Sequence, residues 1–383
     1  MNPVEVLETS KATNPLKDLL KFGQSVWLDY IRRDLFTTGE LKRLIEEDGL
    51  RGMTSNPAIF EKAISDSKLY DDVLHSLAGK NLSPTAKFES LAIRDIQDAA
   101  DALRSVYDSS KGRDGYVSLE VSPYLARDTQ ATLEEARRLW MAVGKPNVMI
   151  KVPGTAEGIP AFQQLISDGI NINVTLLFSQ QVYEQVAEAY VAGLEQLAAH
   201  GGDVSKIASV ASFFISRIDS AIDKIVESRL KTSKDSAEQT SLKGIQGKVA
   251  IANGKLAYQS YSKIFGTEQW KKLAAKGAKT QRVLWASTST KSPAYSDVMY
   301  IEELIGPDTV NTIPPSTFDA YRNHGHPRQT LTENIAQAKQ VMETLPKLGI
   351  SMKEVTDKLT DDGVKLFSEA FDKLLQTIEK NAK

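Results

Sequence analysis

Short runs rich in β-branched and aromatic residues recur eight times along the chain, most of them bounded by Gly, Pro, Asn or Ser, as strands are. They are 25–31 (SVWLDYI), 50–55 (LRGMTS), 115–122 (GYVSLEVS), 148–152 (VMIKV), 171–178 (NINVTLLF), 208–218 (ASVASFFISRI), 282–288 (RVLWAST) and 309–313 (TVNTI). Between most of them the apolar positions switch to helical spacing. Phe88, Leu91, Ile96, Ala99, Leu103 and Val106 make one stripe. Val182, Val186, Ala189, Leu194 and Leu197 make another, with Ser179 placed to cap its first turn. Strands that alternate with helices imply right-handed crossovers and a parallel sheet, and eight of them predict an α/β chain closed into a (β/α)8 TIM barrel.

The spacing departs from regularity in two places. About 60 residues separate the second and third runs, enough for extra helices over one end of the barrel. A longer stretch, about 220–280, follows the sixth run; it reads as a helical insertion whose polar middle, LKTSKDSAEQTSLKG, is a solvated loop between two helices. After the eighth run, about 328–383 is helical in pattern and is expected to pack across the barrel. The whole of 1–383 then forms one barrel domain with these additions.

Composition narrows the class. Of 383 residues, 41% are hydrophobic and 25% charged, which is ordinary for a globular protein, and a net charge of −2 gives no reason to expect nucleic acid or an anionic membrane. The absence of cysteine removes disulfides and thiolate chemistry. The N-terminal MNPVEVLETSKATNPLKDLL has early acids and no apolar signal-peptide core, and no run reaches membrane-spanning length, so the expected location is the cytoplasm.

In a barrel of this kind, chemistry gathers at the C-terminal ends of the strands. One residue there is hard to explain by folding alone. Lys151 sits within VMIKVPGT, a segment otherwise built to be buried. Buried lysines need a reason: they pair with an acid, extend to solvent, or lose their charge and become nucleophiles able to form a Schiff base with a carbonyl. Two carboxylates occupy equivalent places, Asp29 after the first run and Glu120 in the third, and acids are rarely buried unless paired. A lysine and two acids in one mouth form a coupled acid–base set. Thr54, Asn56, Asn173, Thr175, Ser212 and Ser287 also fall in or just after the strands; each could equally be a satisfied core polar group. Arg217 could grip a phosphate through both arms of its guanidinium, or simply pair with Asp219 at the surface. No Walker loop and no G-x-G-x-x-G after a strand compete for the site, and His324-Gly-His326 lacks the acids of a metal centre.

The segments GLRGMTSNPAIF, VSLEV, VMIKVPGT, INVTLLFS, SFFISRID and WASTSTKSPAYSD, taken together and in order, resemble the signatures of transaldolase in its longer bacterial form. The resemblance implies a class I aldolase barrel that uses no metal or organic cofactor. It also implies transfer of a dihydroxyacetone unit from sedoheptulose 7-phosphate to glyceraldehyde 3-phosphate, in the pentose phosphate pathway. By the same resemblance Lys151 is the Schiff-base lysine, Glu120 an acid–base acting through a water shared with Thr175, and Asp29 the carboxylate that moves the sugar hydroxyl proton. Asn56 and Asn173 match sugar-binding amides, Thr54 and Ser212 hydroxyl contacts, Phe214 an aromatic wall, and Arg217 and Ser287 phosphate ligands. One departure stands out. Many shorter transaldolases carry a second phosphate-binding arginine a couple of residues after the serine; here the run is Ser287-Thr-Ser-Thr-Lys291, which leaves Lys291 to act as a point charge.

Sugar phosphates are therefore the expected partners, without nucleic acid or membrane, and with a homodimer among the assemblies open to the chain. Two rivals remain at this level: a fructose 6-phosphate aldolase that releases free dihydroxyacetone, and a phosphosugar-binding barrel with no covalent step.

Overall fold

A computed structural model describes residues 14–381; the N-terminal segment read for signal-peptide character lies mostly outside these described residues. Eight strands close in sequence order into a barrel. They are β1 (Gln24–Asp29), β2 (Gly52–Thr54), β3 (Tyr116–Glu120), β4 (Val148–Pro153), β5 (Ile172–Leu177), β6 (Ser209–Phe214), β7 (Arg282–Ala286) and β8 (Thr309–Ile313). Every pairing is parallel, and β8 returns to β1 with Gln24 opposite Thr309. Each strand falls within or against its expected segment, because both faces of a barrel strand are buried and the apolar runs are nearly continuous.

The Phe88–Val106 stripe forms the buried face of two successive helices, Pro84–Ala102 and Arg104–Ser109. Ser179 caps the helix Gln180–Ala199 by accepting from the Val182 N–H at 3.1 Å.

Two expectations are corrected. The segment 208–218 does not run on as a strand. Ile215 leaves the extended region (φ −103°, ψ −75°), and a helix, Ser216–Thr232, begins at once. Arg217 consequently lies in a helical first turn. The polar stretch expected as a loop is largely the helix Ser236–Ile245, whose Asp235 cap accepts from Ala237 and whose Leu242 and Ile245 are buried. Its hydroxyls bond back to the carbonyls one turn earlier, Thr240 to Ser236 and Ser241 to Ala237, so a Ser/Thr-rich composition does not here exclude a helix. A further helix, Val249–Ile264, packs between Gln180–Ala199 and Ile335–Lys347.

The N-terminal end of the barrel is closed by an ion pair. Arg282 Nη2 donates to Asp114 at 2.8 Å, both side chains are under 8% exposed, and Ser25 bonds to both partners.

The C-terminal helix, Met352–Asn381, crosses the opposite end and rests on Pro57–Ser65 and Pro84–Ala102. Lys373 pairs with Glu61 at 2.9 Å, and the Phe371 ring meets Phe88 edge-on at 5.8 Å. Gly363 permits its closest approach, since a Cβ there would stand 2.8 Å from a Leu176 methyl. Leu176 itself has a left-handed backbone (φ 62°), rare for a leucine, at a bulge where the β5–β6 register shifts. No described helix is long and apolar enough to cross a membrane.

Candidate active site

Lys151 lies where β4 nears the open end of the barrel, with its neighbours on the sheet being Glu120 of β3 and Asn173 of β5. Its Nζ donates to Glu120 Oε2 at 3.2 Å and to the Ser55 carbonyl at 3.3 Å, and the lysine and glutamate side chains are 6% and 7% exposed. The amine is thus neither solvated nor directed outward. The Phe367 ring centroid, 5.5 Å from Nζ, covers it from the C-terminal helix. Burial pushes the Glu120 carboxyl above the usual range, with Lys151 pulling it part of the way back.

A second acid faces the same space. Asp29, the last residue of β1, accepts from Thr54 Oγ1 at 2.6 Å, and Thr54 is itself 2.6 Å from Thr312 Oγ1. Burial raises the Asp29 carboxyl too, against the opposing charges of Lys151 and Lys291 and the Thr54 bond. Two acids that hold protons more readily than free carboxyls, placed around one amine, suit proton exchange during a reaction at that amine.

Lys151 and Asp29 border a cavity of about 180 Å³, whose wall also includes Thr54, Asn56, Thr175, Ser212, Phe214, Arg217, Ser287 and Lys291. Thr175 is fully buried and its hydroxyl has no partner, an uncommon and costly state unless something in the cavity bonds to it. Asn56 spends its carbonyl oxygen capping Pro57–Ser65, accepting from Ile59 at 3.0 Å, which leaves its NH2 as a donor.

The far end is cationic. Arg217 stacks over Phe214 at 5.4 Å, and its pKa is lowered by desolvation with no acid opposing. Asp219, the surface partner considered for it, faces away and accepts instead from Ala250 and Tyr300. Ser287 sits at φ 56°, bonded through its hydroxyl to Ser216 at 2.9 Å. Lys291 is held below the ordinary lysine range by desolvation and then by the Arg217 charge. Two cations at one end of a polar cavity suit an anionic group.

A profile of the family described as Transaldolase/Fructose-6-phosphate aldolase matches residues 26–378. A protein of Trichodesmium erythraeum named Transaldolase is 50% identical over 373 residues, covering 97% of this chain and 98% of its own. A Nostoc protein named Transaldolase 2 is 49% identical over 375 residues, with the same two coverages. A Parafrankia protein named Transaldolase is 45% identical over 369 residues, covering 96% and 98%. This chain belongs to the transaldolase/fructose-6-phosphate aldolase family.

Within that family frame, eleven of the expected site residues border the cavity or, for Glu120, touch the lysine that does. Asn173 does not reach the wall. It is fully buried beside Lys151 in the sheet, donating to Ser118 at 3.1 Å and accepting from Ser212 at 2.7 Å, so it orients a wall hydroxyl. Glu120 stands behind the lysine and touches it directly.

Phe367 is among the wall residues that sequence reading missed, with Ala286, Ser289, Thr312 and Pro314. Phe367 lies 190 residues beyond the end of β5, and an aromatic at helical spacing there looks like any other core position. Among the described residues no three acids or histidines gather as metal ligands do.

Proposed function

We propose that this protein is a transaldolase, moving a dihydroxyacetone unit from sedoheptulose 7-phosphate to glyceraldehyde 3-phosphate through a Schiff base on Lys151. The observation that carries the reading is a buried Lys151 that contacts Glu120 and borders a cavity shared with Asp29 and ended by Arg217 and Lys291.

The steps follow from those positions. Glu120, whose carboxyl favours its proton, takes one from the Lys151 ammonium and frees the nitrogen lone pair to attack the ketone carbon of the donor. The carbinolamine then loses water, with Glu120 returning the proton to the departing hydroxyl. Asn56, Ser212 and Thr175 offer donors and acceptors to the sugar hydroxyls and the water. Asp29 removes the proton of the hydroxyl on the fourth carbon. The bond between the third and fourth carbons breaks, an aldose phosphate leaves, and its electron pair is stored as an enamine on Lys151. The acceptor aldehyde takes that pair, Asp29 returns the proton to the new hydroxyl, and water frees the ketose and the lysine. Arg217, Ser287 and Lys291 would hold the phosphate, fixing which aldehyde end faces the enamine.

The reading places the enzyme in the cytoplasm and in the pentose phosphate pathway. Borohydride added with fructose 6-phosphate should fix the three-carbon unit onto the peptide that contains Lys151. An unmodified peptide would reject covalent catalysis. Rapid dihydroxyacetone release without an acceptor aldehyde would favour the aldolase branch of the family.

A further inference from the structure

The cationic end of the cavity is assembled by residues outside it. Arg217 and Lys291 are like charges on different segments, and neither is neutralised by a bonded acid. Lys291 makes one side-chain bond, to Ser289 on its own loop. Something else must keep its backbone beside the arginine, since the repulsion between the two favours parting.

The helix Ser216–Thr232, which carries Arg217, supplies that hold on its other faces. Asp219 and Asp223 lie one turn apart along it and are 1% and 8% exposed. Asp219 Oδ2 accepts from the Tyr300 hydroxyl at 2.9 Å, and Asp223 Oδ2 accepts from the Tyr295 hydroxyl at 2.7 Å. The other oxygens accept from the backbone N–H groups of Ala250 and Gly247, at 2.8 and 3.0 Å, which fixes the aspartates themselves. Tyr295 also packs against Gly247, where a Cβ would come within 2.7 Å of the ring. At its start the Lys291 loop is tied to the same helix by Ser287, whose carbonyl accepts from Ser216 N–H at 3.0 Å. Both ends of the Ser287–Tyr300 segment are therefore fastened to the element that bears Arg217.

We propose that the Tyr295–Asp223 and Tyr300–Asp219 pairs are positioning residues for anion recognition: they latch the Lys291 loop to the Arg217 helix, so that both cations meet one phosphate. The latch does in structure what a second arginine on the strand end would do in chemistry. It rests on the reading of this end as the phosphate site, and it adds four residues that touch neither phosphate nor lysine.

The test uses the full chain with Tyr295 and Tyr300 both changed to Phe, which keeps the rings and removes only the hydroxyls. Donor kinetics are measured with fructose 6-phosphate and with unphosphorylated fructose at a fixed acceptor, alongside borohydride trapping of free dihydroxyacetone on Lys151. Loss of two hydrogen bonds to charged groups should raise KM for fructose 6-phosphate about tenfold or more. Within about twofold, kcat for that donor, kcat/KM for fructose and the dihydroxyacetone trapping rate should hold, since the catalytic groups stay in place. Inhibition by inorganic phosphate should weaken in parallel with the KM. An unchanged KM for fructose 6-phosphate would overturn the latch. So would an equal loss with both donors or a lost trapping signal, since a general structural lesion produces those. A wild-type enzyme that treats the two donors alike would instead overturn the phosphate-site reading beneath it.

Discussion

Removing Asp114 strands a buried arginine, and the cost can be worked from its surroundings. Asp114 receives Arg282 Nη2 at 2.8 Å and Ser25 Oγ at 2.8 Å, and the Arg282 charge holds its carboxyl below the usual range although burial pushes the other way. With Asp114→Ala, Arg282 keeps the Ser25 hydroxyl and the Arg113 carbonyl but has no counter-charge. Losing one partner of a buried pair costs about 3–5 kcal/mol. An unfolding entropy of about 2 cal/mol/K per residue gives roughly 0.8 kcal/mol/K for this chain, so the melting temperature should fall by about 5 °C. The double variant Asp114→Leu/Arg282→Met, which buries no charge, should recover most of that loss, and both proteins should retain turnover per folded molecule because the plug lies at the end of the barrel away from Lys151. Calorimetry on the wild type, the single and the double variants decides it. If the double variant melts as low as the single, the stranded-charge argument is refuted and the loss is one of packing. Acid gives a second check. A depressed carboxyl stabilises above the unfolded pKa and ceases to as pH falls through the folded value, so the gap between wild type and Asp114→Ala should narrow only in strong acid.

Further outcomes follow from the site. Glu120→Gln should slow trapping of fructose 6-phosphate on Lys151 by about 10²–10⁴-fold in rapid-quench measurements, since an amide cannot take the lysine proton. Lys151→Ala should show no trapping at all, with its unfolding transition retained. Phe367→Ala uncovers the amine, so the ratio of dihydroxyacetone released to dihydroxyacetone transferred should rise; an unchanged ratio would remove any role for the ring in excluding water. Asp219 titrates near pH 6 because of burial, above its unfolded value, so its folded form binds the proton more tightly. Its contribution therefore becomes more favourable as pH falls through 6, and Asp219→Asn should flatten the difference in melting temperature between pH 7.5 and 5.

The barrel was legible because its signal is local. Every strand had to be apolar on both faces, so VMIKV and NINVTLLF stand out without any partner in view, and a lysine or an asparagine inside them becomes conspicuous. Signals that depend on distant packing were not legible. The helix Ser236–Ile245 buries only Leu242 and Ile245, too few to impose a period on a Ser/Lys-rich string. The turn at Ile215 that puts Arg217 on a helix is set by hydrogen bonds to the end of β7, some 70 residues on. Asn173 and Glu120 stand level with Lys151 on the neighbouring strands, but a strand pattern does not say which of the three side chains borders the cavity. Phe367 was invisible for the same reason, its place being decided by Gly363 meeting the bulged Leu176.

That late aromatic has a consequence for biosynthesis. Asp29, Glu120 and Lys151 all leave the ribosome before β8 is available to seam the barrel to β1, and the ring that shelters the amine emerges 216 residues after the lysine itself. A nascent chain thus carries Lys151 without its aromatic cover until the C-terminal helix has been made and has docked.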